Sequence, residues 1–129
     1  MEKVACLFLV LGLGTLLAAD WPTNAAEKHA YLEVEIANKT SSDVDQTGVY
    51  FGQHSCTSGV VGAGVSAGYL GWQKPVTTNA IVRWRDASKV KKEQIVSLLG
   101  VYNPKVDGAL TFTIGVTNVT VEFKKIIRR

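Results

Sequence analysis

The chain reads as an all-β protein: an antiparallel β-sandwich, immunoglobulin-like in size and pattern, with about six or seven short strands behind an N-terminal signal peptide. Three observations carry this expectation. Apolar and polar residues alternate with period two in several separate runs, as in strands with one face in a core and one in water. Glycine, proline and asparagine punctuate the intervals, where turns need them. Behind Met1-Glu2-Lys3, an uncharged apolar run from Val4 to Ala19 falls short of the roughly 20 residues that span a bilayer as a helix.

That run has the parts of a secretory signal: Lys3 as the positive end, Leu7 to Leu17 as the apolar stretch, and Ala18-Ala19 as the cleavage site. Cleavage there places the mature chain in a secreted or periplasmic setting, with no stable membrane insertion. Residues 20–29, with Pro22 and Asn24, read as a flexible leader, and residues 30–127 as one domain. The composition, 47% apolar and 19% charged, is that of a folded chain. A net charge of +3 is too weak to imply nucleic acid. Cys6 leaves with the signal, so Cys56 stands alone, and burial is the favoured reading for it.

Tyr31 to Ile36 opens the domain, with Leu32, Val34 and Ile36 facing inward and Glu33 and Glu35 outward. Asn38 to Asp43 are turn formers and end it. A second strand is expected around Val49 to Phe51, interrupted by Gly52. Gly59, Gly62, Gly64, Gly68 and Gly71 then point to a loop, bulges or a short Val60-Val61 strand.

Pro75 precedes the run Val76 to Arg85, in which Ala80, Val82 and Trp84 alternate with Ile81, Arg83 and Arg85. Trp84 is the expected centre of the core, with Phe112, Ile114, Val121 and Phe123 opposite it. On that reading Trp84→Ala abolishes cooperative unfolding. Ala87-Ser88 reads as a hairpin turn or a helix N-cap. Lys91 to Leu99 fits both periods; a strand is favoured because its neighbours are strands, and a helix stays as the second reading. After a loop from Gly100 to Asp107, Leu110 to Ile114 and Val119 to Phe123 form the clearest hairpin. Lys124 and Lys125 follow as charges that discourage edge pairing.

No catalytic set emerges. Gly62-Ala63-Gly64-Val65-Ser66-Ala67 matches a loose dinucleotide fingerprint, but Gly68, Gly71 and Pro75 break the helix that such a site needs. His54 and Cys56 lie two apart, as a thiol nucleophile and its base would, and Asp43 or Asp45 could orient the base. Asp43 to Gly48 looks like half a calcium loop, yet its twelfth position is His54 instead of Glu. No metal and no cofactor are therefore expected. Asn38-Lys39-Thr40 and Asn118-Val119-Thr120 are formal glycosylation acceptors, meaningful in a eukaryotic source.

Binding is the better expectation. Tyr69 and Trp72, at the end of the glycine-rich stretch, can form an aromatic platform; folding back over the sandwich end is the alternative. Arg83 and Arg85, with Lys89, Lys91 and Lys92 close behind, make a basic face or a merely solvated one. The order of a Cys/Gly-rich middle, a Trp, a Pro and then Val82-Arg83-Trp84-Arg85-Asp86, over about residues 48 to 86, resembles the layout of small exported bacterial domains of unknown function. Some of those are suspected immunity proteins. The resemblance carries no functional residue across.

The expectation is a non-enzymatic exported binding module for a protein or a cell-envelope glycan. An immunity-like inhibitor of a toxin or enzyme is the first alternative. A small secreted cysteine hydrolase built on Cys56 and His54 is the second.

Overall fold

The structure, a computed structural model, describes residues 28–127. The signal peptide and most of the leader expected from the sequence lie outside the described residues. Eight strands follow in chain order: β1 (Leu32–Asn38), β2 (Val44–Phe51), β3 (His54–Val61), β4 (Ser66–Tyr69), β5 (Asn79–Arg85), β6 (Lys91–Ser97), β7 (Gly108–Ile114) and β8 (Val119–Lys125). They form a β-sandwich of two four-stranded sheets, ordered β4-β1-β7-β8 and β3-β2-β5-β6. No helix occurs among the described residues.

The alternating runs become strands much as their periodicity dictates. In β1 and β7 every second residue is buried, so Leu32, Val34 and Ile36 meet Leu110, Phe112 and Ile114 on one inner face. Lys91–Ser97 is a strand, and its partner β5 lies across a tight turn with residues paired from Asn79↔Ser97 to Arg85↔Lys91.

The glycine-rich stretch, expected as a loop, bulges or a short Val60-Val61 strand, yields two strands, β3 and β4, with a bulge at Gly59. Glycine disfavours helix but tolerates an extended chain, and pairing with β2 and β1 decides the outcome. Gly52 (φ 63°) makes the two-residue turn into β3, and Gly59 (φ 67°) sits where the β2–β3 register shifts at a bulge.

The strands pair antiparallel, as expected, in every pair but one. β1 and β7 run parallel, in register from Leu32↔Gly108 to Asn38↔Ile114. Gly108 has a packing role here: a Cβ would collide with the Phe123 ring and come within 2.8 Å of the Lys124 carbonyl oxygen.

The centre of the core also differs from expectation. Trp84 is only half-buried and packs at the margin, while Trp72 is 5% exposed and inside. Phe51 lies between the Trp72 ring at 5.5 Å and the Phe112 ring at 6.2 Å, joining the two sheets. Val121 and Phe123 are half-buried, and Phe123 packs edge-on against Tyr102 at 5.2 Å.

Candidate functional site

The outer face of β5 carries Arg83 and Arg85 as expected, but each cation is already matched. Arg85 makes a bidentate pair with Asp45 of β2, with Nε–Oδ1 and Nη2–Oδ2 both at 2.7 Å, and Lys89 Nζ approaches the same carboxylate at 3.4 Å. Arg83 donates through Nε to Glu93 of β6 at 2.8 Å and lies 4.6 Å from the centroid of the Tyr50 ring. The two arginines are thus matched by carboxylates across three strands, whereas Lys89 shares Asp45 with Arg85 and Lys91 has no ion pair among the described residues.

Asp45 is the half calcium loop's most telling residue. The Arg85 guanidinium beside it lowers its carboxyl from 3.8 to about 2, with Lys89 adding to the effect. Because the folded value lies below the unfolded one, the Asp45–Arg85 contribution to stability is complete above about pH 4 and disappears as pH falls toward 2. Asp45→Asn is expected to flatten the thermal midpoint between those pH values. An equally steep acid limb in the variant would assign the acid loss to other carboxylates. No group of three potential metal ligands occurs among the described residues, and Asp43 instead accepts the Ala63 N–H at 3.0 Å.

The aromatic platform divides. Tyr69 is half-exposed, but Trp72 is in the core, and the two rings meet edge to face at 5.5 Å. Trp72 is drawn inward by its backbone, whose N–H donates to the Leu32 carbonyl at 2.8 Å.

A cleft of about 370 Å³ opens instead at one end of the sandwich, with Trp84 on its lining. Three loops wall it: residues 39–43 between β1 and β2, 86–90 between β5 and β6, and 115–118 between β7 and β8. Each wall is held by a specific device.

The first wall depends on Asn38, which is 1% exposed. Its Nδ2 donates to the Ser42 and Val61 carbonyls at 2.8 and 3.0 Å, while its Oδ1 accepts from Thr40 N and Thr40 Oγ1 at 2.9 and 2.6 Å. The second is an Asx-type turn: Asp86 Oδ1 accepts the Ser88 and Val90 N–H groups at 2.9 and 3.0 Å, and Lys89 takes a left-handed φ of 65°. The third closes by Gly115 N–H to the Asn118 carbonyl at 2.8 Å. Gln94 joins the sheets beside it, its amide donating to Val119 O at 2.9 Å and accepting Val119 N–H at 2.8 Å.

What these devices leave unused defines the chemistry. The hydroxyls of Ser41, Ser42, Ser88 and Thr117 make no hydrogen bond among the described residues, and the Trp84 indole N–H is likewise unbonded and reaches solvent. The cleft therefore combines hydroxyl donors and acceptors with an aromatic residue, Trp84, in its lining.

No protein-family model matches this chain, and no curated protein does. A protein from Eubacterium rectale, solved by NMR, is 13% identical over 74% of this chain and 90% of its own, with a TM-score of 0.49.

Sequence reasoning placed Trp84 on the inner side of β5 correctly and missed that the core ends before it. Only the proximity of the Asp86 turn could have signalled this, since a strand's last inward residue often lines its open end.

The remaining candidates resolve simply. Cys56 is 4% exposed, and burial pushes its thiol pKa upward, away from the thiolate that a nucleophile needs. Native Cys56 is expected to resist iodoacetamide, as read by mass spectrometry of its peptide, and to react fully in denaturant. Rapid native alkylation would restore the hydrolase reading. Of the two glycosylation sequences, Asn38 is sealed inside, with its amide fully engaged, whereas Asn118 is exposed.

Proposed function

We propose that this chain is a non-enzymatic, exported binding module, secreted or periplasmic, that holds a cell-envelope glycan in the end cleft over Trp84. The observation that carries the reading is a half-buried indole among hydroxyls that the fold leaves unspent. A pyranose presents C–H groups on its faces and hydroxyls around its rim. The indole takes the first by dispersion and the second meet the serine and threonine side chains. A cleft of about 370 Å³ accommodates one or two sugar units.

Migration through native gels containing mannan, xylan, β-glucan or soluble chitin tests this directly. At least one polymer should retard the protein, and Trp84→Ala should weaken that retardation at least tenfold while preserving the unfolding transition. Equal retardation of the variant would remove the cleft from the function.

A second reading follows from the β7–β8 turn, where Val116 is 87% exposed beside the cleft. An apolar side chain on a hairpin tip is a suitable plug for another protein's groove, as an immunity-like inhibitor would require. Trp84→Ala separates the two readings: it removes the seat of a sugar and leaves the Val116 side chain on the β7–β8 turn in place as a plug. The hydrolase alternative gains nothing from a buried Cys56.

A further inference from the structure

We infer that the Asp86–Lys92 pair makes the cleft selective for uncharged sugars over acidic ones. This rests on the glycan reading above and concerns which glycans the same site accepts. Three charged residues line the cleft: Asp86, Lys92 and Glu93. Glu93 is committed to Arg83 at 2.8 Å, which leaves the other two as the charges a ligand meets.

Lys92 Nζ and Asp86 Oδ2 stand 3.9 Å apart, beyond hydrogen-bond reach, so neither exhausts its capacity on the other. A sugar hydroxyl between them donates to the carboxylate and accepts from the ammonium. Lys92 is paired directly with Trp84 across β5 and β6, so the two side chains leave the sheet on the same side, and both line the cleft. The carboxylate cannot turn away, because its Oδ1 is fixed by the Ser88 and Val90 N–H groups.

Without Asp86, the same ammonium would attract a uronic acid. With Asp86 in place, a ligand carboxylate meets a like charge at the point where it would reach Lys92. Arg85 and Lys89 share the Asp45 carboxylate at 2.7 and 3.4 Å and do not line the cleft, so Asp86 and Lys92 set the charge that a ligand meets inside it.

Asp86→Asn isolates the charge. An asparagine keeps the carbonyl oxygen that accepts both turn N–H groups, so the wall survives while the negative charge goes. Affinity electrophoresis of the full chain compares the neutral polymers above with polygalacturonate, for the wild type, Asp86→Asn and Lys92→Met.

The wild type should bind a neutral polymer at least tenfold more tightly than polygalacturonate. Asp86→Asn should reduce or invert that ratio at least tenfold, and Lys92→Met should leave polygalacturonate unbound. If the wild type prefers polygalacturonate, or if Asp86→Asn leaves the ratio unchanged, the selectivity inference fails and glycan binding stands. If the wild type binds none of these polymers, both fail together.

Discussion

Replacing Trp72 by alanine is expected to cost about 3–5 kcal/mol and to abolish cooperative unfolding, whereas Trp84→Ala should cost about 1–2 kcal/mol and leave the transition intact. The difference follows from position. Trp72 is 5% exposed and touches Phe51, the ring that also meets Phe112 of the opposite sheet. Its removal opens a cavity where the sheets meet, and a domain with about 5–15 kcal/mol in total cannot absorb that easily. Trp84 leaves a partly hydrated surface behind, which water fills.

A conservative variant sharpens the test. The Trp72 Nε1–H is buried without a partner among the described residues, so its desolvation opposes folding. Trp72→Phe discards that donor along with some volume and should cost about 1 kcal/mol, far less than alanine. Urea unfolding followed by circular dichroism measures all three. A Trp72→Ala midpoint equal to the wild type's would place the indole outside the core.

Asn38→Ala is the second large effect, at about 3 kcal/mol. One side chain supplies four hydrogen bonds there, to Ser42, Val61 and twice to Thr40, and alanine removes the Nδ2 donor from the buried Val61 carbonyl. The loss has a spatial signature as well. Amide exchange of Thr40 should accelerate together with that of Gly64 and Val65, since those groups pack around the same corner and Gly64 N–H donates to Asn38 O at 2.8 Å. Asn38→Asp retains the acceptor but turns two donor contacts into repulsions between a carboxylate and carbonyl oxygens. It should be at least as harmful. Loss confined to Thr40, with Val61 and its neighbours still protected, would mean that the corner is held by its backbone alone.

The sequence made sides legible and depth obscure. Period-two alternation assigned the inward residues of β1, β5 and β7 correctly, Trp84 included, because it reports which way a side chain leaves the strand. It contains no information on where along the strand the core stops. Trp72 had no periodic context at all, and its burial comes from a backbone hydrogen bond to β1 forty residues earlier in the chain.

The same alternation turns Arg83 and Arg85 outward on β5. Their neutralisation depends on register: Asp45 faces Arg85 across β2 and β5, and Glu93 faces Arg83 across β5 and β6. Register is set by the whole sheet and is not written in either strand alone. The cleft was invisible for the same reason, being assembled from three loops that are remote in sequence.

The parallel β1–β7 pair has a consequence for the order of events in folding. β1 and its partner are separated by 76 residues, as the Tyr31 N–H to Asp107 Oδ1 bond between their leading ends records. The central strand pair of one sheet therefore awaits nearly the whole domain, and the entropy of closing so long a loop precedes any reward from the contacts. During synthesis the β2–β3 and β5–β6 hairpins can form locally, while β1 holds an open edge toward a strand not yet made. Such a chain is slow to commit and stays threadable until its last quarter appears.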